Sequence, residues 1–136
     1  TVKLYEGNAR QALVACDVAL VKSGTSTLEA MLLHRPMVVS YRLGWWTYQL
    51  AKRVLRTPYV ALPNILAGRA LVPELLQHEG TAEALADALQ RELAAAAQGA
   101  ENTAAFEALH KQLRQGADAK SAASVLRLLA ANVTGS

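Results

Sequence analysis

The sequence predicts an α/β fold in which part of an open parallel sheet is followed by a run of helices. Three observations lead there. Short apolar runs at Val18–Val21 and Met37–Tyr41 alternate with stretches of helical spacing. The first run is continuous rather than alternating, as in a strand covered on both faces. After Leu66 the apolar spacing becomes helical throughout. Strands joined by helices run parallel through right-handed crossovers, which makes this a piece of an open sheet.

Taken in order, Val2–Glu6 alternates and predicts a short strand. Gly7-Asn8 predicts a turn, with Asn8 able to cap a helix over Ala9–Ala15. Val18–Val21 is the next strand, and Ser23-Gly24-Thr25-Ser26 opens a helix that reaches about Leu33. Pro36 marks the start of a strand over Met37–Tyr41, followed by a helix over roughly Trp45–Leu55. Tyr59–Leu62 predicts a fourth strand, closed by Pro63-Asn64. Pro73 suits the first turn of a helix over about Val72–His78. Thr81 caps the next helix, with Leu85, Leu89 and Leu93 on one face. Phe106, Leu109 and Leu113 mark another helix, and Val125, Leu126 and Leu129 the last, with breaks at Gln98-Gly99 and Gly116. Two parts follow: a sheet-bearing part over 1–70 and C-terminal helices over 71–136.

With 136 residues the chain is long enough for one domain with a real core. Its hydrophobic fraction of 52% is high, but alanine accounts for much of it, which points to close-packed helices. No run approaches the ~20 apolar residues of a spanning helix, and no signal peptide is evident. The single Cys16 cannot form an internal disulfide; it fits a reducing cytoplasm and a small core position. A net charge of +3 is no nucleic-acid footprint by itself. The opening strand pattern and the absence of a starting Met suggest a fragment of a longer chain.

In open parallel sheets, ligands bind beyond the carboxyl ends of the strands. That rule selects Glu6–Asn8, Lys22–Ser26, Tyr41–Gly44 and Pro63–Arg69. In Lys22-Ser23-Gly24-Thr25-Ser26 a buried strand ends, a glycine permits close approach, and hydroxyls meet a helix start. Free N–H groups and the helix dipole favour an anion such as a pyrophosphate there; the plain structural alternative is an ordinary N-cap. Glu29 has two competing roles. Its carboxylate could accept from adjacent ribose hydroxyls, or Ser26-x-x-Glu29 could form a capping box. Asn64 can donate and accept at once, so it could meet a sugar or uracil edge, or satisfy turn backbone. Arg69 could neutralise phosphate or stand solvated. His34, His78 and His110 have no metal-ligand spacing. No Ser/His/Asp or Cys/His arrangement and no Walker loop is present.

Between Arg35 and Arg56 lie Arg35, Arg42, Lys52, Arg53 and Arg56 and no acidic residue. Helical spacing puts Leu43, Trp46, Leu50 and Val54 on one face and Trp45, Gln49, Lys52 and Arg56 on another. Aromatic rings beside cations suit a membrane interface or a lipid head group. The alternative is a helix that buries Trp46 and leaves its basic face in water.

The run from Asp17 through Ser23-Gly24-Thr25-Ser26-Thr27-Leu28-Glu29-Ala30, then Pro36–Arg42, Leu50–Arg53 and Tyr59-Val-Ala-Leu-Pro-Asn-Ile-Leu-Ala-Gly-Arg69, strongly resembles the lipid-A-disaccharide synthase family. The resemblance runs from about Asp17 to Leu76 and continues weakly through the helices. It implies the donor-binding, Rossmann-like domain of a two-Rossmann-domain (GT-B type) glycosyltransferase. It further implies an inverting reaction in which the 6-hydroxyl of 2,3-diacylglucosamine 1-phosphate attacks UDP-2,3-diacylglucosamine and UDP leaves. Carried over by position, Ser23, Gly24, Thr25 and Ser26 would face the UDP diphosphate, Glu29 the ribose, and Asn64 and Arg69 the donor site. Trp45, Trp46, Lys52, Arg53 and Arg56 would contact lipid. The implied location is cytoplasmic, peripheral to the inner membrane. Neither cofactor nor metal is implied, and the general base is expected in an N-terminal part outside this sequence, so that this stretch alone would not catalyse. Open sheet edges would favour a homo-oligomer through strand exchange. A UDP-N-acetylglucosamine 2-epimerase-like domain and a non-catalytic interaction domain built on the leucine stripes are the two alternatives.

Overall fold

Three parallel strands form the sheet in the computed structural model, which describes residues 2–42, 58–99, 102–114, 116 and 120–127. They are β1 (Ala19–Lys22), β2 (Met37–Tyr41) and β3 (Glu74–Leu76), in that order across the sheet. Ala19 pairs with Met37 and Lys22 with Ser40; Val39 pairs with Glu74 and Tyr41 with Leu76. The parallel arrangement agrees with the strand–helix alternation of the sequence.

The helices are α1 (Ala9–Ala15), α2 (Thr25–Leu32), α3 (Leu62–Ala67), α4 (Ala82–Ala97) and α5 (Asn102–Leu113). Residues 120–127 are helical as well. Ala19, Met37 and Val39 from the sheet pack into one cluster with Leu13 of α1, Ala30 and Met31 of α2, and Phe106 and Leu109 of α5. Burial of a ring as complete as Phe106 contributes about 1.5–3 kcal/mol. α4 packs against β2, and Val38 and Ala88 are buried outside that cluster, so β2 is covered on both faces, whereas β1 leaves Leu20 50% exposed. This explains why β2 reads as an apolar run; the cover on both faces expected from the continuous run Val18–Val21 is not found, because Leu20 of β1 is exposed.

Several sequence expectations need correction. Val2–Glu6 is no strand: Val2, Leu4 and Tyr5 are exposed and carry no ladder bonds. A strand needs a neighbour for its N–H and C=O groups, and among the described residues β1's outer edge is not paired with this segment. Tyr59–Leu62 is not a strand either. Its Val60 and Ala61 N–H groups go to the Glu74 carboxylate instead of a ladder, and Leu62 already opens α3, with Pro63 in its first turn. The Pro63–Arg69 loop is therefore largely that helix, ended by Gly68 in the left-handed conformation. The helix expected over Val72–His78 is instead β3 followed by a 3-10 turn over Gln77–Glu79. Pro73 stands just before the strand, where its missing N–H costs nothing, and its carbonyl accepts from Val39 at 2.9 Å. The sheet thus takes its third strand from beyond residue 70.

The predicted leucine stripe of α4 holds at the partly buried Leu85 and Leu89 but not at Leu93. Ala88 is the buried position, and Leu93 is 45% exposed. The Thr81 cap forms as expected, accepting from the Ala84 N–H at 3.2 Å. Asn8 stands at the N-cap of α1, but its side chain makes no cap bond. Cys16 sits half-buried at the rim of the core, its thiol donating to the Leu13 carbonyl at 3.3 Å. Arg35 is not part of an open basic patch: its Nη2 donates to the Val14 carbonyl at 2.7 Å, tying the end of α1 to the turn before β2.

Candidate functional site at the carboxyl end of the sheet

β1 ends at Lys22 and hands the chain through Ser23 to Gly24, the N-cap of α2. Gly24 has φ 146° and ψ −159°, a conformation that excludes ordinary side chains. A Cβ there would meet no atom within 4 Å, so the glycine is needed for backbone shape, and the space outside it is open.

The hydroxyls around this turn divide into two groups. Ser23 Oγ donates to the Val60 carbonyl at 2.9 Å, Ser26 Oγ to the Lys22 carbonyl at 3.1 Å, and Thr27 Oγ1 to the Gly24 carbonyl at 2.7 Å. Those three brace the loop, and their protons are engaged. Among the described residues, the Thr25 hydroxyl and the N–H groups of Gly24, Thr25 and Ser26 have no protein partner. Four donors at an exposed helix start, with the helix dipole behind them, form a place for a negatively charged oxygen group. Lys22 adds a cation at the same end of the sheet, its Nζ 5.6 Å from the centroid of the Tyr41 ring.

Ser26 lies inside α2 rather than before it, so the Ser26–Glu29 capping box does not form. The Glu29 carboxylate is exposed and has no partner among the described residues. Glu29 follows Thr25 by one helical turn, on the same face and about 6 Å further along the axis. It lines a cleft of about 440 Å³ with Arg10, Leu32, Leu33 and His110. Behind this cleft, His110 Nδ1 stands 3.4 Å from His34 Nε2, joining α5 to the end of α2.

Asn64 is in a different position from a surface ligand. It is 1% exposed, and its amide is fully engaged. Its Oδ1 accepts from the N–H groups of Leu71 (2.7 Å) and Val72 (2.9 Å), while its Nδ2 donates to the Val72 carbonyl (2.9 Å) and to Glu74 Oε1 (2.8 Å). Arg69 is exposed just past the C-terminal end of α3, whereas Ser23 bonds to Val60 just before its N-terminal end. Trp45, Trp46, Lys52, Arg53 and Arg56, with the helix expected around them, lie outside the described residues. Among the described residues, no group of three or more His, Cys, Asp or Glu could hold a metal ion.

Sequence reasoning missed Glu74. Its carboxylate accepts from Val60 N–H, Ala61 N–H and Asn64 Nδ2, and so knits three segments together. The one available signal was a single acid inside the apolar run Leu71-Val72-Pro73-Glu74-Leu75-Leu76, a place where carboxylates stand only if their acceptor capacity is filled.

A parallel sheet packed between helices, with N–H donors unpartnered among the described residues at its carboxyl end, defines a partial Rossmann-like α/β module. The chain belongs to the lipid-A-disaccharide synthetase family, whose model matches residues 1–128. It is 53% identical over 127 residues to the lipid-A-disaccharide synthase of Azotobacter vinelandii, a match that takes in 93% of this chain and 33% of that protein. The corresponding enzyme of Aromatoleum aromaticum is 52% identical over 128 residues, with 94% and 33% covered. That of Pseudomonas aeruginosa is 48% identical over 126 residues, with 93% and 32% covered. The chain thus spans about a third of the length of the curated relatives it matches.

Proposed function

We propose that this chain is the donor-binding part of a glycosyltransferase that makes lipid A disaccharide 1-phosphate. The donor is UDP-2,3-diacylglucosamine, the acceptor is 2,3-diacylglucosamine 1-phosphate, and UDP is the leaving group. Family membership supports the reaction class. The observation that carries the site is the set of unpartnered N–H groups at Gly24, Thr25 and Ser26. They stabilise the charge that grows on the departing diphosphate, because their positions are fixed before the reaction begins. Glu29, one turn along α2, accepts from the ribose hydroxyls. Ser23 and Asn64 serve the site from beneath, by bracing its backbone. Arg69, at the far end of α3, adds positive charge at longer range. The acceptor 6-hydroxyl attacks the anomeric carbon with inversion, and the general base comes from outside this chain.

Calorimetric titration with UDP, UMP and uridine tests the diphosphate site. Affinity that falls at least about tenfold from UDP to UMP supports it; equal affinities would show that the N–H groups do not meet the second phosphate. The same proposal makes the chain catalytically silent alone, and product formed by the purified chain would refute that part.

We also place Trp45, Trp46, Lys52, Arg53 and Arg56 at the inner-membrane surface, where acylated substrates reside. No helix among the described residues is long and apolar enough to cross a membrane. Replacing Lys52, Arg53 and Arg56 with Ala should abolish co-sedimentation with anionic vesicles, and retained binding would count against this placement.

A further inference from the structure

The loop of residues 58–61 has no place in the sheet, yet it is bonded to the site through Ser23. Val60 is held at both of its polar groups. Its N–H is accepted by Glu74 Oε2 at 3.0 Å and Oε1 at 3.2 Å, and its carbonyl accepts from Ser23 Oγ at 2.9 Å. Neither bond belongs to a ladder. Glu74 itself is fixed in β3, paired with Val39, and its Oε1 also accepts from Ala61 N–H at 2.9 Å and Asn64 Nδ2 at 2.8 Å. A continuous chain of hydrogen bonds therefore runs from β3, at one edge of the sheet, through Val60 to the residue that precedes Gly24.

We propose that Glu74 is a positioning residue for the diphosphate cradle, acting through Val60 and Ser23 on the N–H groups of Gly24–Ser26. The inference rests on the assignment of that cradle to the donor. Donors that stabilise developing charge must stand within a few tenths of an ångström of their working positions, and a displacement near 1 Å forfeits most of their effect. Ser23 has two anchors of its own: its N–H donates to the Ser40 carbonyl at 3.3 Å, and its hydroxyl to Val60. The first is long, so the second sets the angle at which the chain enters Gly24. That second anchor is only as firm as Val60, and Val60 is only as firm as Glu74. A carboxylate suits this post because every group facing it is a donor.

Glu74→Gln makes a selective test. The amide oxygen can still accept from Ala61 and Asn64, which keeps α3 and β3 joined, but the new NH2 faces Val60 N–H where Oε2 had accepted at 3.0 Å, leaving Val60 only the longer 3.2 Å contact to the Oε1 position. UDP affinity is measured for the wild-type chain, Glu74→Gln, Ser23→Ala and the double variant, alongside amide exchange at Gly24–Ser26. Each single change should weaken UDP by about three- to tenfold, the scale of one lost hydrogen bond. The double variant should be no weaker than the worse single variant within about twofold, because both cut the same chain. Exchange at Gly24–Ser26 should quicken in both single variants. Additive losses, or wild-type affinity in a folded Glu74→Gln chain, overturn the proposal while leaving the cradle intact. If the wild-type chain does not bind UDP, the cradle assignment fails, and the exchange data alone decide whether Glu74 holds the turn. Should Glu74→Gln not fold, Ser23→Ala interrogates the same chain from its other end: faster exchange at the Val60 N–H supports the linkage, and unchanged protection there overturns it.

Discussion

Asn64 shows how much one buried side chain can hold. Its four hydrogen bonds tie α3 to the approach of β3, and the side chain itself is buried. Asn64→Ala leaves the N–H groups of Leu71 and Val72 buried without acceptors, so unfolding in denaturant should show a loss of about 3 kcal/mol. Any fall in UDP affinity should accompany that loss. Gly24 makes the opposite kind of residue, with open space around it and a backbone that only glycine tolerates. Gly24→Ala should cost about 1–3 kcal/mol through strain alone, and it should weaken UDP binding because relief of the strain turns the Gly24–Ser26 N–H groups away. Calorimetry beside denaturant unfolding separates the two effects. The sequence showed Gly24 and Glu29 as candidates, since a glycine between a strand and a helix carries its own signal. It did not show that Ser23 and Ser26 use their hydroxyls on the protein's own carbonyls, because hydroxyl partners depend on which segments the fold brings near.

At the scale of elements, the two apolar strands β1 and β2 were legible and the contested ones were not. Met37–Tyr41 was found at its observed bounds, as a β-branched apolar run introduced by proline. Tyr59–Leu62 and Val72–His78 were exchanged, strand for non-strand, because periodicity cannot sort short apolar runs and Glu74 decides both. α4 was found, and Leu85 and Leu89 lie on its partly buried face, but the most buried position is Ala88, which lets the helix approach β2, and a small residue announces itself less than leucine. The same helix carries Glu92, whose half-buried carboxyl is raised above its ordinary 4.5 by desolvation, with Arg91 opposing. A raised carboxyl pKa means the folded chain binds the proton more tightly than the unfolded one. Stability from this group is present below the ordinary value and is lost as pH climbs through the raised one. Glu92→Gln should therefore raise the Tm at pH 7, by a gain of up to about 0.5 kcal/mol for so exposed a group, and the gain should vanish by about pH 4. Thermal melts at the two pH values check both statements.

For the whole molecule, family membership was more legible than the course of the strands. The Ser-Gly-Thr-Ser turn and the Leu-Pro-Asn-Ile-Leu-Ala-Gly-Arg run carried the family resemblance, and both lie in segments joined by the Ser23–Val60 and Asn64–Glu74 bonds. The wiring between them was hidden because it uses backbone groups, which every residue shares. The result is a small sheet whose carboxyl end presents N–H donors beside a carboxylate one helical turn away. The central claim is that these groups receive the diphosphate and ribose of a nucleotide donor. It is tested most directly by titrating UDP into the chain while following backbone amide resonances, for the wild type and for Glu29→Ala. The account predicts saturable shifts at Gly24, Thr25, Ser26 and Glu29, with affinity about three- to tenfold weaker in the variant, whose fold and stability stay unchanged. A folded chain whose Gly24–Ser26 amides do not respond to UDP, or which binds equally well without Glu29, would contradict it.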